Sequence, residues 1–152
     1  MLSFRKTRAR NARYLRIGFL AVVFAGAFLA VPAMARPANL DQSLDRYSDH
    51  GLFHLQLQSA VRPIPLWRVH QWTVRLTDTA GQPVTSAAVT VDGGMPAHHH
   101  GLPTAPRATP GAAAGDYVIN GVKFSMPGWW VLKLDVRDAD GHSDTITFNL
   151  VL

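Results

Sequence analysis

Trp129-Trp130-Val131-Leu132-Lys133-Leu134-Asp135-Val136 decides the fold. Trp130, Leu132, Leu134 and Val136 share one side of an extended chain, and Val131, Lys133 and Asp135 share the other. Side chains of a strand alternate in direction, so this period of two predicts a β-strand with one face in a core. Asp138-Ala139-Asp140-Gly141 follows, a hairpin signal. Residues 145–152 alternate again, with Ile146, Phe148 and Leu150 on one face. Two amphipathic strands joined by a tight turn predict an antiparallel sheet.

The same period recurs toward the N-terminus. Phe53, Leu55 and Leu57 alternate with His54, Gln56 and Gln58. His70, Trp72, Val74 and Leu76 alternate with Gln71, Thr73 and Arg75. Residues 78–83 form a turn cluster around Gly81 and Pro83, and Ala87, Val89 and Val91 share a face beyond it. Residues 117–124 read as a strand with a kink at Gly121. No segment after residue 35 has a helical period. Six or seven short strands predict an all-β antiparallel sandwich. Its inner faces should hold Leu55, Trp72, Val74, Leu76, Val89, Tyr117, Phe124, Trp130, Leu132, Leu134, Ile146 and Phe148. The domain is expected to span residues 50–152, after a flexible polar leader at 36–49.

Net charge is +5, which alone would suggest nucleic acid or acidic lipid as a partner. The charge is unevenly placed. Arg5, Lys6, Arg8, Arg10, Arg13 and Arg16 precede residue 36 with no acidic residue among them; the nine remaining basic residues face ten Asp. Nucleic acid therefore has no support as a partner. The basic stretch, the uncharged run 17–31 and Ala33-Met34-Ala35 are the three parts of an export signal, with cleavage expected after Ala35. The alternative is an apolar signal helix retained at 17–35 as the only membrane contact, just long enough to span ~30 Å of hydrocarbon. Either outcome predicts a periplasmic or otherwise extracytoplasmic domain. Cys and Glu are both absent, which removes disulfides, thiolate chemistry and any site needing glutamate.

Residues 93–115 differ from the rest, with five Gly and four Pro, and read as an unusually long loop. They contain Met95-Pro96-Ala97-His98-His99-His100-Gly101. Imidazole is the commonest metal ligand near neutral pH, and thioether suits Cu(I). In an extended tract His98 and His100 point one way and His99 the other. A further ligand must then come from elsewhere, and Met126 of Ser125-Met126-Pro127-Gly128 is the candidate. The alternatives are a solvated His tract and a Met126 that fills a core gap. Binding needs neutral imidazole, so affinity is expected to fall below pH ~6.

Other chemistry finds less support. His98-x-His100 is similar to a cupin metal motif but lacks its Glu, and no Gly-x-Ser-x-Gly elbow occurs. No catalytic residue is assigned and no enzyme is expected. Trp72 and Trp130 belong to the core, whereas Trp67 and Trp129 are expected at the surface. His70 falls on an apolar face and would need a hydrogen-bond partner if buried. Asp138 and Asp140 fit a hairpin turn better than a Ca²⁺ loop, which requires a terminal Glu.

The Met95–Gly101 block, Gly115-Asp116-Tyr117 and the run Val122-Lys123-Phe124-Ser125-Met126-Pro127-Gly128-Trp129-Trp130 together resemble the YtkA-like (FixH-like) family. The resemblance covers roughly residues 65–150. It implies a small exported or anchored domain with an immunoglobulin-like sandwich, and a copper-related role. Met95, His98, His100 and Met126 match the family's recurrent positions; His99 matches less well. The expected cofactor is a copper ion, Cu(I) or Cu(II), with an envelope metalloprotein or assembly factor as partner. The competing expectation is a metal-free protein-interaction module that presents residues 93–115 as a docking surface.

Overall fold

The computed structural model describes residues 36–152. The expected export signal and its cleavage site lie outside these residues. Nine strands occur in chain order: β1 (Asp45–Tyr47), β2 (Phe53–Ser59), β3 (His70–Asp78), β4 (Ala88–Met95), β5 (His100–Gly101), β6 (Arg107–Pro110), β7 (Asp116–Val122), β8 (Trp129–Arg137) and β9 (Ser143–Val151). One sheet has the order β1-β2-β3-β7-β6 and the other β5-β4-β8-β9. All named strand pairs are antiparallel.

The two sheets enclose one core between their apolar faces. Trp72, Trp130, Tyr117, Phe53, Phe124 and Phe148 are its largest fully enclosed side chains. The predicted inner residues are all buried except Val89, which is half-buried on β4. The Tyr117 hydroxyl ties the layers together. It donates to the Val84 carbonyl at 2.9 Å and accepts the Ala87 N–H at 2.8 Å, so β7 of one sheet is fixed to the segment leading into β4 of the other. Both sheets and the whole core lie within residues 36–152, so this segment is a self-contained folding unit.

Three expectations need correction. The strand number is nine rather than six or seven. Residues 93–115 are not one open loop, because they supply the end of β4, all of β5 and all of β6. Such short edge strands are stabilised by pairing with a neighbour, not by their own propensity. The segment 36–49 is not a loose leader either. It contributes β1, and it straps the outer edge of β9: Asp49 N–H donates to Thr145 O at 2.8 Å, the Arg46 guanidinium to Thr147 O at 2.6 Å, and the Asn149 amide to Asp41 O at 2.8 Å.

The strand directions sort the connections into two ends. One end carries the turns 48–52, 79–87, 111–115 and 138–142. The other carries the segments 60–69, 96–106 and 123–128 and the chain's last residue, Leu152.

Candidate functional site

The His tract lies at the second end, and β4 carries the chain to it. A Cβ on Gly93 would collide with the Val131 carbonyl of β8, and one on Gly94 with the His100 backbone of β5. Two glycines thus let β4 fit tightly between its neighbours. Pro96 then opens a 3-10 turn over Pro96–His98, and His99 closes it in the left-handed region at φ 54°. Met95 and His100 become cross-strand partners. The tract is therefore a tight hairpin turn and not an extended run.

The turn nevertheless brings His98 and His100 together. Their ring centroids are 6.0 Å apart, and both residues are exposed. Metal–imidazole bonds of ~2.0–2.1 Å place two rings on one ion with centroids roughly 5–6 Å apart. His100 Nδ1 lies 2.9 Å from Gly101 O, which assigns the proton to Nδ1 and leaves Nε2 as the lone-pair donor. His99, at the left-handed position, stands outside this pair.

Trp130 backs the site. Its ring meets His100 edge-on at 5.5 Å, and its indole N–H donates to Met126 O at 2.9 Å. Met126 is half-buried against the core, on the turn beneath the indole. Gly128 holds that turn, with φ 130° and two backbone hydrogen bonds to Leu152, at 2.8 and 3.0 Å. A Cβ on Gly128 would lie 2.8 Å from the Met95 methyl, so the Met95 side chain reaches the same turn. Met95 itself is only 2% exposed and packs as a core residue. Met95 shares the parity of Val89 and Val91, so the alternation of β4 carries it inward past the two glycines.

The segments 60–69, 96–106 and 123–128 contain no Asp. A hard cation such as Ca²⁺ or Mg²⁺ needs carboxylate oxygen, so an imidazole pair without charge compensation suits a softer ion better.

Other anomalies collect at this end. The two non-glycine residues with positive φ among the described residues are Trp67 (64°) and His99. Three buried side-chain atoms there have no hydrogen-bond partner among the described residues: His70 Nε2, Trp72 Nε1 and Thr104 Oγ1. His70 is buried as its alternation predicts, and its Nδ1 is satisfied by Arg68 O at 3.1 Å.

The opposite end holds a group not anticipated as a unit. Asp138, Asp140 and His142 offer ligand atoms within 4.8 Å of one another. The Asp138 carboxylate already accepts both the backbone N–H and the Nδ1 of His142, each at 2.8 Å, which is hairpin closure. That hydrogen bond raises the His142 pKa above its ordinary value. The signal in the sequence was Asp-Ala-Asp-Gly-His, read there only as a turn.

A family model described as YtkA-like matches residues 60–135. A solved DUF4426 family protein from Pseudomonas aeruginosa PAO1 is similar in fold, with TM-score 0.53 and 17% identity, over 70% of this chain and 96% of that one. The ZirS C-terminal domain aligns at TM-score 0.38 and 10% identity, over 93% of this chain and 97% of that one. No curated protein matches the sequence.

Proposed function

The chain belongs to the YtkA-like family, and from that premise we propose that it is an exported immunoglobulin-like domain that binds copper at the His98–His100 turn and passes it to an envelope protein. The observation that carries this reading is the imidazole pair, with ring centroids 6.0 Å apart and the His100 Nε2 lone pair left available. Met126 is the third donor, since its turn is held by Trp130 directly behind His100. Met95 supports that turn from the core and becomes a ligand only if residues 126–128 move off it. His99 is not required.

Two imidazoles suit Cu(II), and two imidazoles with a thioether suit Cu(I). The two imidazoles are exposed and no carboxylate lies in the segments 60–69, 96–106 and 123–128, which favours a site that releases its ion over one that retains it. Export places such a domain where copper is exchanged between envelope proteins.

The test is a titration of residues 36–152 with Cu(I) and with Cu(II), beside the His98→Ala/His100→Ala protein. The expected result is a single site of equal stoichiometry in both oxidation states, lost in the double variant. Met126→Leu should weaken Cu(I) and spare Cu(II). Binding that is absent, or equal in wild type and the double variant, overturns the reading and leaves the hairpin as a metal-free interaction surface.

A further inference from the structure

The segment 60–69 shares the end of the sandwich with the His tract but takes no part in that site. It presents three of the molecule's exposed large apolar side chains, Val61 (42% exposed), Trp67 (65%) and Val69 (61%). Isolated exposed apolar residues need no explanation. These three fall within nine residues, and Trp67 is held outward at a cost. Its φ of 64° lies in the left-handed region, where a bulky residue is an outlier. The conformation is fixed from behind: Trp67 N–H donates to Phe124 O at 2.7 Å, and Leu66 bridges Phe124. A strained backbone that projects an indole into solvent points to a use for that indole.

The charges around it are of one sign. Arg62 and Arg68 flank the apolar residues, and Lys123 precedes Phe124, to which Trp67 is bonded. None of the three is in an ion pair among the described residues. Asp41, which approaches this end beside Asn149, is already paired with Arg46 at 3.2 Å. The opposite end carries Asp49, Asp78, Asp138 and Asp140. The domain is thus electrostatically polar along its strands, and a negatively charged plane would orient it with 60–69 foremost. Val61, Arg62, Pro63, Pro65, Arg68 and Val69 also line a recess of about 580 Å³, which matches the size of small-ligand sites.

We propose that residues 61–69 form a membrane-interface anchor that seats on an anionic phospholipid surface. Trp67, Val61 and Val69 enter the headgroup layer, where amphipathic rings are favoured, and the recess receives one headgroup phosphate between Arg62 and Arg68. Lys123 adds to the surface attraction. The contact is independent of the 17–35 run and of the His turn, and it holds the His turn at the membrane surface.

Residues 36–152 are mixed with vesicles of phosphatidylglycerol or of phosphatidylcholine, and both co-sedimentation and tryptophan emission are followed. Trp72 and Trp130 are enclosed in the core, and Trp129 is half-buried with its indole N–H on Asn149 at 3.1 Å, so Trp67 is the exposed indole among the described residues and the part of a blue shift lost in Trp67→Ala is its own. Binding to phosphatidylglycerol, weak binding to phosphatidylcholine and loss of binding with salt are expected. Trp67→Ala should remove most of the shift and weaken partition about tenfold. Arg62→Gln with Arg68→Gln should weaken it on the order of 30-fold, from about 1 kcal/mol per basic residue near the surface. All three side chains are exposed, so these variants fold; His98→Ala/His100→Ala should bind vesicles like wild type. No binding to either vesicle, or equal binding by wild type and Trp67→Ala, overturns the proposal.

Discussion

The two ends of the sandwich are made of different materials. At the acidic end, polar groups are closed into local bonds. The Asp144 side chain is sealed from solvent, and its carboxylate accepts His50 Nδ1 at 2.8 Å, Thr145 N–H at 2.8 Å and His50 N–H at 3.0 Å. Burial alone would raise its pKa, but hydrogen bonds from Ser48, His50 and the backbone hold it well below the carboxylate range. At the other end, buried polar atoms lack partners among the described residues, two bulky side chains sit at positive φ, and apolar and basic side chains face water. Polar groups are satisfied at the acidic end, and the residues proposed above for copper and for the membrane lie at the end where they are not. The contrast can be broken or sharpened by substitution.

The largest effect is expected where the open end meets the core. Trp130 packs against Phe124 at 5.2 Å and His100 at 5.5 Å. Trp130→Ala should cost about 3–5 kcal/mol in denaturant unfolding, as large aromatic deletions do. It should also free Met126 and lower copper affinity in any protein that remains folded. A loss below about 1 kcal/mol would mean that the open end is not built on this indole.

The acidic end should respond with stability alone. Asp144→Asn is expected to cost roughly 2 kcal/mol by weakening a set of charge-assisted hydrogen bonds, with copper titration unchanged. Its pH dependence has two sides. The folded pKa of Asp144 is lowered, so its contribution is complete above about pH 4 and declines as pH falls through the folded value. The folded pKa of His50 is raised, chiefly by its hydrogen bond to Asp144, so its contribution is complete below about pH 6.5 and declines as pH rises through the folded value. The clamp is strongest between those limits. A stability difference between wild type and Asp144→Asn that is flat from pH 3 to 8 would contradict it. The smallest effect is expected for His98→Ala/His100→Ala, whose unfolding should stay within about 0.5 kcal/mol of wild type while metal binding is lost.

The closed parts were more legible in the sequence than the open ones. β2, β3, β8 and β9 are amphipathic over seven to nine residues, so their period of two survives in one dimension. Trp72 and Trp130 in the core follow from that parity; Trp67 is exposed as expected, whereas Trp129, expected at the surface, is half-buried with its indole N–H on Asn149. β5 has two residues, and β6 is Arg-Ala-Thr-Pro, whose Pro110 is tolerated because the strand is outermost. Neither has a period to read. The shape of the His turn is not legible because nothing local requires a histidine to adopt φ 54°; pairing of Met95 with His100 on either side imposes it. The Asp144 clamp was invisible because His50 is 94 residues away in the chain.

The strap of residues 41–49 along β9 bears on how molecules of this protein behave in company. β9 is nine residues long and forms one border of its sheet, with carbonyls at Thr145 and Thr147 turned outward. A bare border of that length invites a strand from a neighbouring copy, and repetition of that contact yields aggregates. Here the carbonyls are taken by Asp49 and Arg46. The segment just before the first long strand therefore works as a colloidal stabiliser. A chain trimmed to begin at residue 50 would keep its hydrophobic core and lose its guard against polymerisation.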